Sequence, residues 1–419
     1  MTGRAPVDPP PAPHDPYVSL RHREFRAYIV SLFAMTLGSQ LQAVVVGWQV
    51  YSITHDPLSL GLIGLAEALP FIAVALPAGY LADRWNRRTI AVVGLAVLTL
   101  CAIALLVLSV GGVLARVGVV PIYVVIFASG IARSLLQPAR QALSSELVPR
   151  EHLQNAIAWR SSSWQIAAVV GPAAGGLLYG FSGAVAAYSV DVVLMVGALF
   201  GMLSMRYQPG TRAPSELSIG TNLLVGLRFV FGQPVILGAL SLDLFSVFLG
   251  GAEALLPVFA SEVLHVGPQG LGILRAAPAA GAVTMGLYLA HRRPFERAGR
   301  SMLLAVSVFA LCIIGFGLST SFWLSLVLLC VSGMADSVSV VVRSTLVQML
   351  TPADMLGRAS AVNSVFVGSS NELGAFESGV AARLLGPVSA VVAGGVAALL
   401  VVAVTAQRVP ALRKLRRID

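Results

Sequence analysis

Ionisable side chains deep inside long apolar stretches are the residues of this sequence best suited to chemistry. Charges within membrane-length apolar runs are costly, and they tend to mark pathways for ions or polar substrates. Removal from water favours the neutral form of a carboxyl group, so such an acid can exchange a proton near neutral pH. Depth within the apolar runs predicts four proton-coupling candidates: Asp243, Glu67, Glu372 and Asp336. The alternative for each is a protonated carboxyl group that only hydrogen-bonds between helices.

The first apolar run carries an unusual number of polar and aromatic side chains. Gln42 and Gln49 are seven residues apart, so a helix places them on one face. This face could line a cavity for an amphipathic molecule, although hydrogen bonds between helices would use the same residues. The sequence predicts these substrate-cavity candidates, some of them in later runs: Gln42, Gln49, Trp48, Arg133, Asp336 and Asn363.

The composition predicts the elements that position these residues. The chain has 419 residues, of which 57% are hydrophobic and 11% are charged, and its mean hydropathy is +0.83. A soluble domain carries about 25% charged residues, so this chain could not cover a water-exposed surface. We therefore expect an all-α membrane protein.

Several other classes of protein do not fit the sequence. The formal charge of +9 comes from arginines in short clusters between apolar runs, without the basic, aromatic-rich helix of a nucleic-acid-binding protein. A phosphate-binding loop is absent, and Lys414 is the only lysine. The three cysteines lie inside apolar runs and the six histidines are scattered. Neither a metal site, a disulfide framework nor an enzyme is therefore expected.

The apolar runs themselves predict the topology. A helix needs about 20 apolar residues to cross a bilayer, and twelve such runs can be traced. They cover approximately 26–53, 58–82, 89–110, 119–142, 155–180, 184–206, 234–260, 270–290, 301–319, 322–345, 358–383 and 387–407. Basic residues prefer the cytoplasmic side, and most arginines fall on the side of the termini. We therefore expect both termini in the cytoplasm.

The two halves of the sequence resemble each other at a separation of 203 residues. At this shift Arg140 meets Arg343, and Gly171 meets Gly374. A six-plus-six duplication places a pathway between the halves, near the bilayer midplane. The predicted organisation is a disordered tail at 1–25, six-helix bundles at 26–206 and 234–407, a linker with an amphipathic helix at 207–233, and a basic tail at 408–419.

The same shift relates two of the buried charges. Arg133 and Asp336 occupy equivalent positions in the fourth and tenth runs. We predict an ion pair, or a charge-complementary couple, between the halves in one conformational state. The alternative is that each charge is neutralised by a local partner within its own half.

The loop between the second and third runs reads Gly-Tyr-Leu-Ala-Asp-Arg-Trp-Asn-Arg-Arg, from Gly79 to Arg88. It resembles the signature loop of the major facilitator superfamily, with Asn86 in place of the usual glycine. A carboxylate at Asp83 could cap a neighbouring helix, and the resemblance points to the helix that opens near Gly357. The alternative is a solvated loop that only sets orientation. The gating candidates are Gly79, Asp83, Arg84, Arg87, Arg88, Arg140, Arg343, Gly357 and Arg358.

Motifs elsewhere resemble the branch of this superfamily that contains macrolide, tetracycline and siderophore exporters. They include Asp56 to Gly61, Pro138-Ala-Arg140 and Leu147-Val-Pro149. The resemblance covers nearly the whole chain. It implies the major facilitator fold, with twelve transmembrane helices in two pseudo-symmetric six-helix bundles.

The same resemblance implies a function. The default for this branch is proton-coupled efflux of a small amphipathic molecule by alternating access, powered by the proton gradient without a cofactor. A lipid or lysophospholipid flippase on the same fold is the main alternative, and a transporter-derived sensor is a weaker one. We expect a monomer in the bacterial inner (cytoplasmic) membrane that contacts a small-molecule substrate and the lipid bilayer.

Overall fold

The computed structural model describes residues 15–206, 219–292, 297–352 and 355–414, without the side chains of 75–77, 79–84, 115, 219–224, 226, 356, 358, 361, 364, 365, 369 and 414. In chain order, the long helices are α1 (Arg23–Thr54), α2 (Pro57–Arg84), α3 (Arg87–Ser109), α4 (Val120–Glu146), α5 (153–182), α6 (184–204), α7 (Pro234–Gly250), α8 (Gly267–Ala290), α9 (Ala298–Leu318), α10 (Phe322–Leu350), α11 (Leu356–Leu385) and α12 (Pro387–Arg408). The shorter helical elements are Val18–Arg21, Val110–Gly112, Val113–Val117, Arg150–His152, Ile219–Gly232, Glu253–Leu255, Leu256–Val258, Phe259–Val263 and Pro410–Lys414. Every regular element in the described residues is helical.

Ten stretches of the described chain are long and apolar enough to cross a membrane. One of them, Arg150–Ser204, is 55 residues long. It breaks at Gly183, where φ is 79° and ψ is 179°, a conformation that glycine adopts readily and other residues avoid. The break separates α5 from α6. Helix α11 has 30 residues but is less apolar, with Glu372 and Glu377 in its interior. The chain is an all-α multi-pass membrane protein, and the count of twelve spans stays a prediction.

The connections between the helices alternate between two ends of the bundle. We call one the turn end because tight turns with positive φ lie there, at His55, Gly183, His265 and Gly386. We call the other the loop end. It carries the connections at residues 85–86 and 147–152, together with residues 291–292 and 351–352.

Helices α1–α6 form the N half and α7–α12 form the C half, and the apolar cores differ between the two ends. Near the loop end each half has its own core, one around Phe25 and Tyr28 and another around Met302 and Leu346. Near the turn end a single apolar cluster contains residues of both halves. Its members include Val44, Tyr51, Leu60, Leu256, Phe259, Leu271 and Phe316. The two halves are therefore joined at the turn end.

Residues 15–25, which the sequence assigned to a disordered tail, are ordered in this structure. The Val18–Arg21 turn packs on the start of α5, where the backbone amide of Ser19 donates to Oδ1 of Asn155 at 3.2 Å. The side chain of Trp159 donates to the carbonyl of Pro16 at 3.0 Å. The helix Ile219–Gly232 lies in the predicted linker, and Val230 packs into the C half. Residues 207–218 of that linker lie outside the described residues.

Candidate functional site

A polar cavity of about 190 Å³ lies inside the N half, between α1, α3, α4 and α5. Two arginines, Arg133 and Arg140, reach it from the same face of α4, because residues seven apart are two helical turns apart. The cavity occupies the half of the bundle that is nearer the loop end. Its full lining is Met35, Thr36, Ser39, Gln40, Leu98, Arg133, Leu136, Gln137, Arg140 and Trp164.

Arg133 forms an ion pair with Glu67 of α2, inside the N half. The pair predicted between Arg133 and Asp336 is therefore not formed in this structure, although the prediction for another state of the cycle stands. Asp336 makes no ion pair with the described residues. Glu372 and Asp191 also lie within electrostatic range of Arg133. The guanidinium of Arg133 thus interacts electrostatically with three acids.

Glu372 brings a carboxylate of the C half to this cluster. It lies on α11, which packs along α2, and it interacts electrostatically with Glu67, Arg133, Arg275 and Glu253. Two carboxylates from opposite halves, Glu67 and Glu372, therefore share the field of Arg133. Only Glu67 is in direct contact with the guanidinium.

Asp243 and Arg343 form an ion pair of a different kind. Asp243 on α7 contacts Arg343 on α10, and their side chains are only 6% and 5% exposed. The sequence had assigned Asp243 to proton coupling and Arg343 to gating. The structure places both inside the C half, in contact with each other, away from the loop-end surface where a gate was expected.

The turn end is closed by close backbone approach between the halves. A Cβ atom added at Gly176 of α5 would lie 2.7 Å from the Cα of Gly272 on α8. A Cβ atom added at Gly64 of α2 would lie 2.7 Å from the Cβ of Ala375 on α11. Real Cβ atoms do not approach other atoms this closely, so these contacts require glycine. Small residues allow this packing in membranes, where apolar side chains gain little by leaving lipid.

Two polar contacts between the halves reinforce the turn end. The hydroxyl of Tyr51 donates to Glu262. Arg383 lies 3.4 Å from the carboxylate of Asp56, and both side chains are partly exposed. Sequence reasoning did not predict either contact, because nothing in the local sequence relates the end of α1 to residues more than 200 positions later.

The described arginines of the signature loop bind within their own half. Arg87 pairs with Glu146 at the end of α4, and Arg88 donates to the carbonyl of Leu203 at 2.7 Å. Asn86 caps α3, since its side chain accepts a hydrogen bond from the backbone amide of Arg88 at 2.9 Å. Gly357 is exposed at the start of α11. The remaining gating candidates lie outside the residues whose side chains are described: Gly79, Asp83, Arg84 and Arg358.

The α1 face that lines the cavity carries Gln40. Gln49 is buried within the N half, where it accepts from the hydroxyl of Tyr188 at 2.9 Å and donates to Ser109 at 3.0 Å. Gln42 is also buried, and it is not among the residues that line this cavity. The two predicted glutamines share a face, and that face packs into the helix bundle.

Three further polar or aromatic residues lie elsewhere in the bundle. Trp48 packs against the apolar cluster that joins the halves, and the side-chain oxygen of Asn363 is buried without a hydrogen-bond partner in the described chain. Asp191 on α6, which sequence reasoning did not select, is fully buried, and neither of its carboxylate oxygens has a hydrogen-bond partner among the described residues. The described residues contain no group of three His, Cys, Asp or Glu side chains that could hold a metal ion.

Comparison with known proteins places this geometry in a family. The model of the family described as transmembrane secretion effector matches residues 14–418. The enterobactin exporter of Escherichia coli O1:K1 / APEC is 28% identical over 385 residues, which are 91% of this chain and 90% of that protein. The enterobactin exporter of Shigella boydii serotype 18 gives the same values.

Solved structures share the fold at lower identity. A bacterial homologue of the human lysosomal transporter Spinster, in an inward-facing and unoccupied conformation, has a TM-score of 0.71 and 17% identity, covering 96% of this chain and 99% of that chain. A D-xylose–proton symporter has a TM-score of 0.69 and 13% identity, covering 94% and 99%. With a family match across nearly its whole length, the chain belongs to the transmembrane secretion effector family of major facilitator transporters.

Proposed function

We propose that this transporter is a secondary active exporter of a small amphipathic molecule, drug-like or siderophore-like, and that it works by alternating access. The observation that carries the proposal is the contrast between the ends: a polar cavity toward the loop end, and a turn end closed by glycine contacts. A pathway that is shut at one end while a polar site lies toward the other is what alternating access requires. The enterobactin exporters that match 91% of the chain support outward movement.

In this proposal the loop end and both termini face the cytoplasm of a bacterium, in its inner membrane. Basic residues prefer the cytoplasmic side of a membrane. Arginines at or near the loop end include Arg87, Arg88, Arg206, Arg292 and Arg300. The arrangement of helices then corresponds to a state that loads substrate from the cytoplasm. A monomer suffices for this mechanism, because cavity and charge cluster lie within one chain.

Proton coupling, in this proposal, uses the two carboxylates that share Arg133. Glu67 and Glu372 come from opposite halves, and one guanidinium cannot pair fully with both. One acid therefore gains from binding a proton, and movement of the halves changes which acid that is. Asp243 fits this role less well, because it already forms a buried ion pair with Arg343.

The test measures transport in intact cells and in inverted membrane vesicles. Expression in an efflux-deficient bacterium should lower the accumulation of at least one compound in a panel that includes siderophores. Inverted membrane vesicles should accumulate the same compound when a proton gradient is imposed, and a protonophore should abolish the uptake. Higher cellular accumulation on expression would show that the protein imports the compound. Uptake that persists with the protonophore would show that transport is not coupled to the proton gradient.

A further inference from the structure

We propose that the cavity in the N half binds the anionic group of a small organic acid, with Arg140 as its counter-ion. The proposal rests on the exporter function only for the direction in which that acid moves. Binding itself is a property of the cavity and can be measured without transport.

Arg140 has no protein counter-ion in the described chain. It lines the cavity, and no ion pair or side-chain hydrogen bond joins it to a described residue. Its electrostatic neighbours include two further arginines, Arg133 and Arg160. Glu67 compensates Arg133, whereas Arg160 only donates to the hydroxyl of Ser144 at 3.1 Å. A cluster of guanidiniums within a membrane protein is costly unless an anion joins it.

The internal duplication shows what the fold does with this arginine elsewhere. Arg343 occupies the position equivalent to Arg140, 203 residues later. Arg343 is buried and paired with Asp243. The C half therefore supplies a carboxylate for its arginine from α7. The question is which residue of α1 stands at the equivalent place in the N half.

Helix contacts fix the register between α1 and α7. A Cβ atom added at Gly171 of α5 would lie 3.1 Å from the carbonyl oxygen of Leu37 on α1. A Cβ atom added at Gly374 of α11, the equivalent glycine, would lie 2.9 Å from the carbonyl oxygen of Phe248 on α7. Leu37 and Phe248 therefore occupy equivalent places.

The residue five positions before Phe248 is Asp243, and the residue five positions before Leu37 is Leu32. Leu32 is buried in the apolar core of the N half. The N half thus keeps the arginine and lacks the carboxylate, so the cavity presents a guanidinium that no described carboxylate neutralises.

The lining defines the class of anion. A guanidinium presents a planar fork of donors that fits a carboxylate or a phosphate. Gln40 and Gln137 add amide groups, and Leu98 with Trp164 provides an apolar and aromatic wall. A cavity of about 190 Å³ suits a compact aromatic acid better than a long acyl chain. The chemistry therefore fits an aromatic carboxylic acid or a molecule built from one.

The first experiment compares an acid with its neutral amide. Radiolabelled salicylate and salicylamide are titrated into the purified protein in lipid nanodiscs at pH 7.5. Charge-assisted hydrogen bonds strengthen binding by roughly tenfold to a hundredfold, so salicylate should bind at least tenfold tighter than salicylamide. Arg140→Gln should reduce that preference to less than twofold. Equal binding of acid and amide to the wild-type protein would overturn the proposal.

A second variant supplies a carboxylate to the cavity. Met35 and Arg140 line the same cavity, so Met35→Asp should abolish salicylate binding while salicylamide binding changes little. The matched control is Arg116→Gln, which removes an exposed arginine of the same half near the turn end and should leave the preference intact. Unchanged salicylate binding in Met35→Asp would contradict the role of Arg140, even if Arg140→Gln failed to fold.

Two further outcomes separate this proposal from the exporter function. Binding of salicylate without efflux of any compound would leave the anion site standing and remove the exporter. Efflux of neutral or cationic compounds alone, without preference for acid over amide in binding, would leave the exporter function standing and remove the anion site. If a lysophospholipid bound at Arg140 and salicylate did not compete with it, Arg140 would be assigned to a lipid phosphate. That result would overturn the proposal of an aromatic acid.

Discussion

The two halves of this transporter carry equivalent arginines in opposite situations. In the N half, Arg133 and Arg140 reach a polar cavity, and only Arg133 has a carboxylate partner, Glu67. In the C half, Arg343 is buried against Asp243 and the pair is closed to the surroundings. Duplication thus preserved the position of a charge but not its use. One half binds its counter-ion permanently, and the other leaves a place for one.

The packing contacts, by contrast, are the same in both halves. Gly130 of α4 approaches the backbone of Glu67 on α2, with 3.1 Å from an added Cβ atom to the carbonyl oxygen. Gly333 of α10 approaches the backbone of Pro278 on α8, with 2.6 Å from an added Cβ atom to the proline Cα. Pro278 therefore stands where the N half has Glu67, and Asp336 stands where it has Arg133. The glycine contacts are kept, whereas the ion pair of the N half has no equivalent in the C half.

The largest difference between the halves should be seen on neutralising the paired arginine. Arg343→Gln leaves Asp243 buried without its partner, which costs roughly 3–5 kcal/mol. Arg140→Gln removes a cation that has no carboxylate partner in the described chain, so it should change stability by less than about 1 kcal/mol or increase it. Thermal unfolding of the purified variants in detergent measures both. The double variant Arg343→Gln, Asp243→Asn should recover most of the loss; equal destabilisation by the two single arginine variants would remove the contrast.

A substitution at the turn end should affect movement more than binding. Gly272→Val places a branched side chain where an added Cβ atom already lies 2.9 Å from the Cα of Gly176. Overpacking of this kind costs typically 1–3 kcal/mol, which would disfavour the closed turn end and lower transport about tenfold or more. The matched control is Gly197→Val on α6, where an added Cβ atom meets nothing within 4 Å. Transport by Gly272→Val at the level of Gly197→Val would show that closure does not need this contact.

Neutralising the carboxylates that share the guanidinium of Arg133 should have a smaller, graded effect on proton coupling. Glu67→Gln should lower proton-coupled uptake into inverted vesicles by roughly tenfold, because a charge-assisted contact of about 1.5–3 kcal/mol is lost. Glu372 can take over as partner of Arg133, so some coupling should remain. The double variant Glu67→Gln, Glu372→Gln should then uncouple transport from the proton gradient. Glu377→Gln on the same helix is the control, and coupling retained in the double variant would exclude both acids.

The helices and some of the buried charges could be predicted from the sequence, for physical reasons. Apolar runs are long because every spanning helix must cross the same hydrocarbon thickness, so the helices fell close to the predicted runs. Glu67 and Arg133 stood out because charge inside such runs is rare. The 203-residue shift predicted that Arg140 and Arg343 are equivalent. These features are local or periodic, and the sequence records them directly.

What could not be read from the sequence depends on which helices meet. The spacing of Gln42 and Gln49 predicted a shared face correctly, but periodicity alone does not say what that face contacts. Tyr188, which satisfies Gln49, lies 139 residues away. The partnership of Asp243 with Arg343 was missed for the same reason, and so was the cavity role of Gln40. The register between α1 and α7, which places Leu32 where the C half has Asp243, follows only from glycine contacts between helices.

The smallest expected effect concerns the ion pair at the turn end. Asp56 and Arg383 are 3.4 Å apart and partly exposed, and exposed pairs contribute about 0–1 kcal/mol. Asp56→Asn should therefore change the equilibrium between open and closed turn end by less than about fivefold, far below the effect of Gly272→Val. Accessibility of a cysteine introduced at Ser52, labelled in intact cells, measures that equilibrium. Asp56→Asn combined with Arg383→Gln should match the single variant, because one broken pair cannot be lost twice. A shift as large as that of Gly272→Val would mean that charge, and not glycine packing, holds the turn end shut.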